Sequence, residues 1–314
     1  MDMFTHLIVG AFTYLLFLKD HTLYYLIPAM FFAILPDLDI FIQPLKRVFH
    51  SNYLEHRSGS HSYVIGVIIS AIIGGIYSLI MNKPFLLVWL IGSLFYSLHV
   101  SMDLLTTTKI PCFYPLSKKE YCFYVEKAGS FFTMINSIVF FNLLILLYLL
   151  SADIFVFRVI IDIYTGLFIF YYLYRIISKV RISSNLTSNQ KYFPGVLPYY
   201  FTIYNQEISD HEISLSLQRK SHFSKFQEIY NENIGLKPEE MSLFEKAKEL
   251  CRTNYYLAKW TMFPLFIKTD ETFSIRFYFL ETLMRNRTMN VQYDFSTINR
   301  ELITVRQGYG SILA

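Results

Sequence analysis

The N-terminal part of this chain, to about residue 180, consists of apolar stretches long enough to cross a lipid bilayer, which leaves it few possible folds. A spanning helix needs about 20 largely apolar residues. Helices are favoured because lipid offers no partners for backbone N–H and C=O groups, and a helix satisfies its own. Candidate stretches cover 4–18, 23–42, 62–81, 85–105, 131–151 and 155–177. Lys19-Asp20-His21 closes the first one early, whereas 62–81 is rich in Ile and Gly and 131–151 carries a long Leu/Ile/Phe run. The expected fold is an α-helical integral membrane domain of about six helices, followed by a smaller soluble α+β domain.

Composition supports the division. Hydrophobic residues make up 54% of the chain and charged residues only 17%, against about 25% charged in an ordinary soluble domain. Beyond Arg181 the polar run Ser183-Ser184-Asn185-Leu186-Thr187-Ser188-Asn189-Gln190 reads as a linker. The expected organisation is a membrane domain over 1–182, a linker over 183–190 and a cytoplasmic accessory domain over 191–314. In the last of these, Ile213–Leu217 and Phe273–Phe279 alternate as strands do. Pro238-Glu239-Glu240 starts a helix whose Phe244, Ala247 and Cys251 share a stripe, and extended segments are expected near 254–268, 288–295 and 301–307. This half carries neither a second metal-ligand cluster nor a glycine-rich phosphate loop.

Charge and cysteine usage exclude other classes. A net charge of +4, with scattered basic residues, gives no nucleic-acid footprint. Cys112, Cys122 and Cys251 have neither CxxC spacing nor a paired framework, which fits reduced thiols. The start Met1-Asp2-Met3-Phe4-Thr5-His6 lacks the basic n-region of a cleavable signal, so the first apolar stretch reads as a retained helix. With the N-terminus inside, the inner segments hold Lys46, Arg47, Arg57, Lys109, Lys118, Lys119, Lys127, Lys179 and Arg181, and the outer turns hold Lys19, Lys83 and Arg158. That bias favours both termini in the cytoplasm.

Four polar clusters interrupt the apolar half: Thr5-His6, Pro36-Asp37-Leu38-Asp39, His56-Arg57-Ser58-Gly59-Ser60-His61-Ser62, and His99 with Asp103. Ionisable groups are costly next to lipid and rarely stand there without a partner or a metal. In the N-in topology all four fall at the inner ends of their stretches, where His99 and Asp103 share one helix face. Imidazoles and carboxylates are ligands for zinc and for manganese or iron. His6, Asp37, Asp39, His56, His61, His99 and Asp103 are therefore the candidate metal ligands. They suffice for two ions, or for one ion with carboxylates left over as base or support. Asp37 and Asp39 are candidates for the catalytic base, and Arg57 for stabilising an anionic oxygen.

Each cluster also has a plainer reading. His6 alone is an ordinary interfacial residue, Asp37-Leu38-Asp39 a solvated helix end, and His99 with Asp103 a structural pair. His21, His50, His211 and His222 lack companions at ligand spacing. A transporter is disfavoured, because the ionisable groups gather at one end rather than across the midplane.

At these residues the sequence resembles the YdjM-like family of inner-membrane metal-dependent hydrolases. Its hallmarks are Met-Asp-x-x-Thr-His, Pro-Asp-x-Asp, His-Arg-Gly-x-Thr-His-Ser, and His-x-x-x-Asp followed by a Leu/Thr-rich turn and an aromatic-Pro. Here they read Met1 to His6, Pro36 to Asp39, His56 to Ser62, and His99 to Thr106 with Tyr114-Pro115 beyond. Ser58 stands where the family has Gly and Ser60 where it has Thr; the first is expected to cost backbone freedom unless Gly59 beside it absorbs the turn. The resemblance, over roughly residues 1–180, implies a multi-pass inner-membrane hydrolase whose divalent metal, zinc by preference, activates water against an ester or phosphoester. Membrane lipids are the expected surroundings, a lipid or lipid-linked phosphoester a candidate substrate, and no nucleic-acid partner is expected. The competing class is a non-enzymatic scaffold with a structural metal and a partner-binding cytoplasmic domain.

Overall fold

A computed structural model describes residues 1–17, 23–41, 57–150, 153–209, 212–221, 223, 227–284 and 286–312. The helices follow the apolar stretches: α1 Met3–Phe17, α2 Leu23–Ile34 running into a 3-10 segment Leu35–Phe41, α3 Tyr63–Met81, α4 Phe85–Leu104, α5 Phe131–Leu149 and α6 Ile154–Ser183. Five described helical stretches are long and apolar enough to cross a membrane, counting α2 with its 3-10 extension; α1 is apolar but shorter.

Local chemistry fixes the ends. Ser62 caps α3, its hydroxyl accepting from Val64 N–H at 3.2 Å, and Asn82 closes the helix in the left-handed conformation that Asn tolerates. Pro36 falls where α2 tightens into the 3-10 segment. Helices approach closely at small residues, as membrane bundles do. A Cβ on Gly10 would lie 2.6 Å from Ala33 Cβ, and one on Gly66 would lie 2.3 Å from the Tyr96 ring. These contacts join α1 to α2 and α3 to α4.

The chain divides into two compact units, Met1–Ile177 and Ser178–Ala314, so the division falls within α6. The second unit holds two four-stranded antiparallel sheets. The first comprises β1 Gln190–Pro194, β2 Tyr200–Ile208, β3 Glu212–Ser221 and β4 Gln227–Gly235. Helices α7 Pro238–Arg252 and α8 Tyr255–Lys259 follow, then β5 Met262–Lys268, β6 Thr272–Phe279, β7 Arg287–Ser296 and β8 Leu302–Ser311. The stripe Phe244, Ala247 and Cys251 is buried. The expected extended segment 254–268 is only partly so. Its first part forms α8, started by Asn254, whose side-chain oxygen accepts from Leu257 N–H at 3.3 Å.

Candidate metal centre

His99 and Asp103 stand one turn apart near the C-terminal end of α4, which stops when Thr106 turns its N–H and hydroxyl onto the Asp103 carbonyl at 3.0 and 2.8 Å. Asp37 lies in the 3-10 segment, and His61 in the turn ahead of α3. His61 Nε2 lies 3.2 Å from Asp103 Oδ2, 3.5 Å from Asp37 Oδ1 and 3.4 Å from His99 Nε2. His99 Nε2 lies 3.7 Å from Asp37 Oδ1 and 3.8 Å from Asp103 Oδ2. A tetrahedral ion with bonds of about 2.0–2.2 Å holds its ligand atoms about 3.3–3.6 Å apart. These five separations bracket that range.

The donor set fits a cation. Among the described residues, Asp37 Oδ1 and Asp103 Oδ2 are buried without a hydrogen-bond partner, although they lie near the two imidazoles. Two orphaned carboxylate oxygens in a buried pocket are costly. A divalent cation between them would balance two carboxylates and two neutral rings. The ring tautomers agree. His99 Nδ1 lies 2.7 Å from the Ala33 carbonyl, so Nδ1 carries the hydrogen and Nε2 presents its lone pair to the cluster. The Ala33 carbonyl is available because Pro36, three residues on, has no N–H to offer it.

His61 is turned by Asp39. Asp39 Oδ2 lies 3.4 Å from His61 Nδ1, accepts from Arg57 N–H at 3.1 Å, and accepts from the Ser60 hydroxyl. Burial disfavours the charged His61 ring, but the Asp103, Asp37 and Asp39 carboxylates around it outweigh this and raise its pKa to about 10. The turn itself is pinned from outside. Tyr96 donates its hydroxyl to the Ser60 carbonyl, Ser62 donates to the Tyr114 carbonyl, and Tyr63 N–H reaches the Cys112 carbonyl at 2.9 Å. The left-handed residue is Arg57, at φ 58°, and neither Ser58 nor Gly59 has positive φ. Ser58 therefore incurs no backbone cost, contrary to the sequence expectation.

Arg57 is anchored at both ends of its guanidinium, Nη1 to Thr108 Oγ1 at 3.1 Å and Nη2 to the Met1 carbonyl at 2.6 Å. Its Nε lies 3.5 Å from Asp103 Oδ2, buried and without a hydrogen-bond acceptor among the described residues. His6 approaches the far oxygen of the same carboxylate, with Nε2 3.3 Å from Asp103 Oδ1, and its ring stacks on His99 at 3.7 Å. The Met1 amino group also contacts Asp103 Oδ1.

The described candidates thus converge on one place, in two tiers. Asp37, His61, His99 and Asp103 each offer one ligand atom within 4.8 Å of the others. His6, Asp39 and Arg57 surround that set. His56 lies outside the described residues, as do His21, His50, His211 and His222.

A family model, the YdjM inner membrane protein family, matches residues 1–182. The chain belongs to this family. The match covers every residue of the cluster and all six helices except the last residue of α6. Searches of curated proteins and of solved structures find no significant match. This YdjM-family chain is therefore a membrane protein with a buried Asp/His/His/Asp group able to hold a metal ion.

Sequence reasoning missed several supporting groups: the Ala33 carbonyl, the Tyr96 hydroxyl and Thr108. Tyr96 stands three residues before His99 on the same helix, and that spacing was its one available signal. It also missed a buried ion pair. Arg175 on α6 meets Glu126 with Nη2–Oε1 at 2.6 Å and Nε–Oε2 at 3.0 Å, and Tyr171 donates to the same carboxylate.

Proposed function

We propose that this YdjM-family protein is a membrane-embedded, metal-dependent hydrolase, with one divalent ion held by Asp37, His61, His99 and Asp103. Zinc is the first choice, and manganese or iron the alternatives. The observation that carries the reading is the pair of orphaned carboxylate oxygens facing two imidazole nitrogens at tetrahedral separations. When bound, such an ion makes water acidic enough to supply hydroxide near neutral pH, for attack on an ester or phosphoester.

The surrounding residues have distinct tasks in this reading. Asp39 holds the His61 ring so that Nε2 faces the cluster. Asp37, the most exposed of the four at 8%, is the carboxylate best placed to give up a position to water or to take its proton. Arg57 Nε, with no acceptor of its own, is the donor for an anionic substrate oxygen. His6 steadies Asp103 from behind. The basic-residue bias supports a cytoplasmic position for both termini and for this site, where a lipid or lipid-linked substrate is the natural class.

One observation favours the scaffold reading instead. All four ligand residues are buried, and four protein ligands complete a tetrahedron, as in structural zinc sites. Metal analysis of the purified protein, of His61→Ala and of His99→Ala, followed by a screen of phosphoesters and lipid esters, separates the two. The hydrolase reading expects stoichiometric metal lost in both variants and turnover that follows the metal. Wild-type protein free of metal overturns both readings, and metal without metal-dependent turnover selects the scaffold.

A further inference from the structure

A cavity of about 490 Å³ opens in the C-terminal unit, and its lining has a composition of its own. Arg181 and Lys220 supply two cations, Asn185, Gln190 and Gln218 supply amides, and none of the described lining residues is acidic. The floor mixes apolar and polar side chains. Phe201 faces Lys220 and Ile203 faces Gln218 across β2 and β3, so four alternating residues share one face of the sheet. The wall is the turn that leaves α6, held by Asn185 N–H to the Ile182 carbonyl at 3.1 Å and Leu186 N–H to the Ser183 carbonyl at 3.3 Å.

The place of that wall in the chain narrows the ligand. Helix α6 is apolar enough to span a bilayer. Leu173, Ile177 and Val180 are more than half exposed along it. Lys179 and Arg181 then end the apolar run, the usual mark of the water boundary. Along the chain, the cavity wall therefore begins at the basic residues that end the apolar run.

We propose that this cavity binds the phosphate-bearing headgroup of an anionic membrane lipid. The Arg181 fork suits a phosphate diester and Lys220 adds a point charge. The amides suit glycerol hydroxyls, and Phe201 with Ile203 suits the first methylenes. A zwitterionic choline headgroup would bring a third cation among the first two. Free phosphate would use the cations and leave the apolar side chains of the floor unused. The proposal is independent of the metal centre.

The test is native mass spectrometry of the full-length protein released from nanodiscs of equal phosphatidylglycerol and phosphatidylcholine. Wild type is expected to retain phosphatidylglycerol selectively. Retention should fall about fivefold for each cation removed, and so more than tenfold in Arg181→Gln/Lys220→Gln. The pair Lys246→Gln/Lys248→Gln on α7, with the same loss of charge, should retain lipid as wild type does. If the double variant misfolds, Arg181→Lys against Arg181→Gln decides, the lysine variant keeping more lipid. Equal retention in the double variant and wild type, or no preference over phosphatidylcholine, overturns the proposal. Complete displacement by inorganic phosphate overturns the lipid assignment and leaves a free-anion site.

Discussion

Asp39 approaches His61 Nδ1 at 3.4 Å yet gives no atom to the four-ligand group, so its task is to orient a ligand. Outer partners of this kind typically contribute about 10–100-fold in metal affinity. Asp39→Asn is expected to fold and to bind zinc weaker by that factor in competition with a chromophoric chelator; wild-type affinity would sink the assignment. His61 adds a dependence on pH. Its pKa is raised to about 10 in the cation-free protein, against about 6.5 for an unperturbed histidine. The folded state then holds a proton that the unfolded state releases first. The His61 contribution is complete below about pH 6.5 and is lost as pH rises toward 10. Metal must displace that proton, so zinc affinity should rise with pH over the same window, with proton release visible by calorimetry in buffers of different ionisation enthalpy. Affinity independent of pH would show that His61 is not a ligand. The participants were legible because His and Asp beside lipid are conspicuous. The division between ligand and orienting group was not, since it depends on which oxygen or ring nitrogen faces inward.

Gly66 on α3 lets the Tyr96 ring pack against the backbone, and the Tyr96 hydroxyl in turn holds the Ser60 carbonyl beside His61. A methyl group there would meet the ring at 2.3 Å. Gly66→Ala should therefore push α3 from α4 at a cost of about 1–3 kcal/mol. The readouts are a lower Tm in detergent and faster zinc loss to chelator; an unchanged Tm together with unchanged zinc retention would show that the turn is held elsewhere. The same elements explain what a sequence reader can see. The helices of the first unit were readable to within two residues because spanning length leaves a long apolar run, save that α6 continues six residues past its expected end at 177. In the second unit β3 and β6 alternate clearly and were found. Strand β1 starts at Gln190, inside the presumed linker, and β4 reads Gln227-Glu228-Ile229-Tyr230-Asn231-Glu232-Asn233, too polar for its pairing with β3 to show locally. Helix α8 was hidden because a short helix begun by one Asn cap has too few turns for a 3.6-residue period.

Helix α6 belongs to both compact units, since the boundary at Ile177 falls within it. Its place in the first unit is set by the Glu126–Arg175 pair, whose side chains are 0% and 1% exposed. Glu126 is tied to the candidate metal centre through backbone. Val125 and Glu126 N–H both reach the Leu105 carbonyl at 2.9 Å, two residues beyond Asp103, and Phe123 N–H reaches Leu104 at 2.7 Å. The pair thus fastens α6 to the helix end that carries the ligands. Two buried charges gain little net energy over a well-packed apolar pair, but removing one strands the other at a cost of about 3–5 kcal/mol. Glu126→Leu alone should lower Tm strongly and release zinc, because it removes the carboxylate that the buried Arg175 guanidinium grips and so loosens α6. Glu126→Leu with Arg175→Met leaves no stranded charge, and should recover most of the stability and the zinc. A double variant as unstable as the sum of its singles would mean that the two residues act independently, and that the end of α4 carrying His99 and Asp103 is held by packing alone.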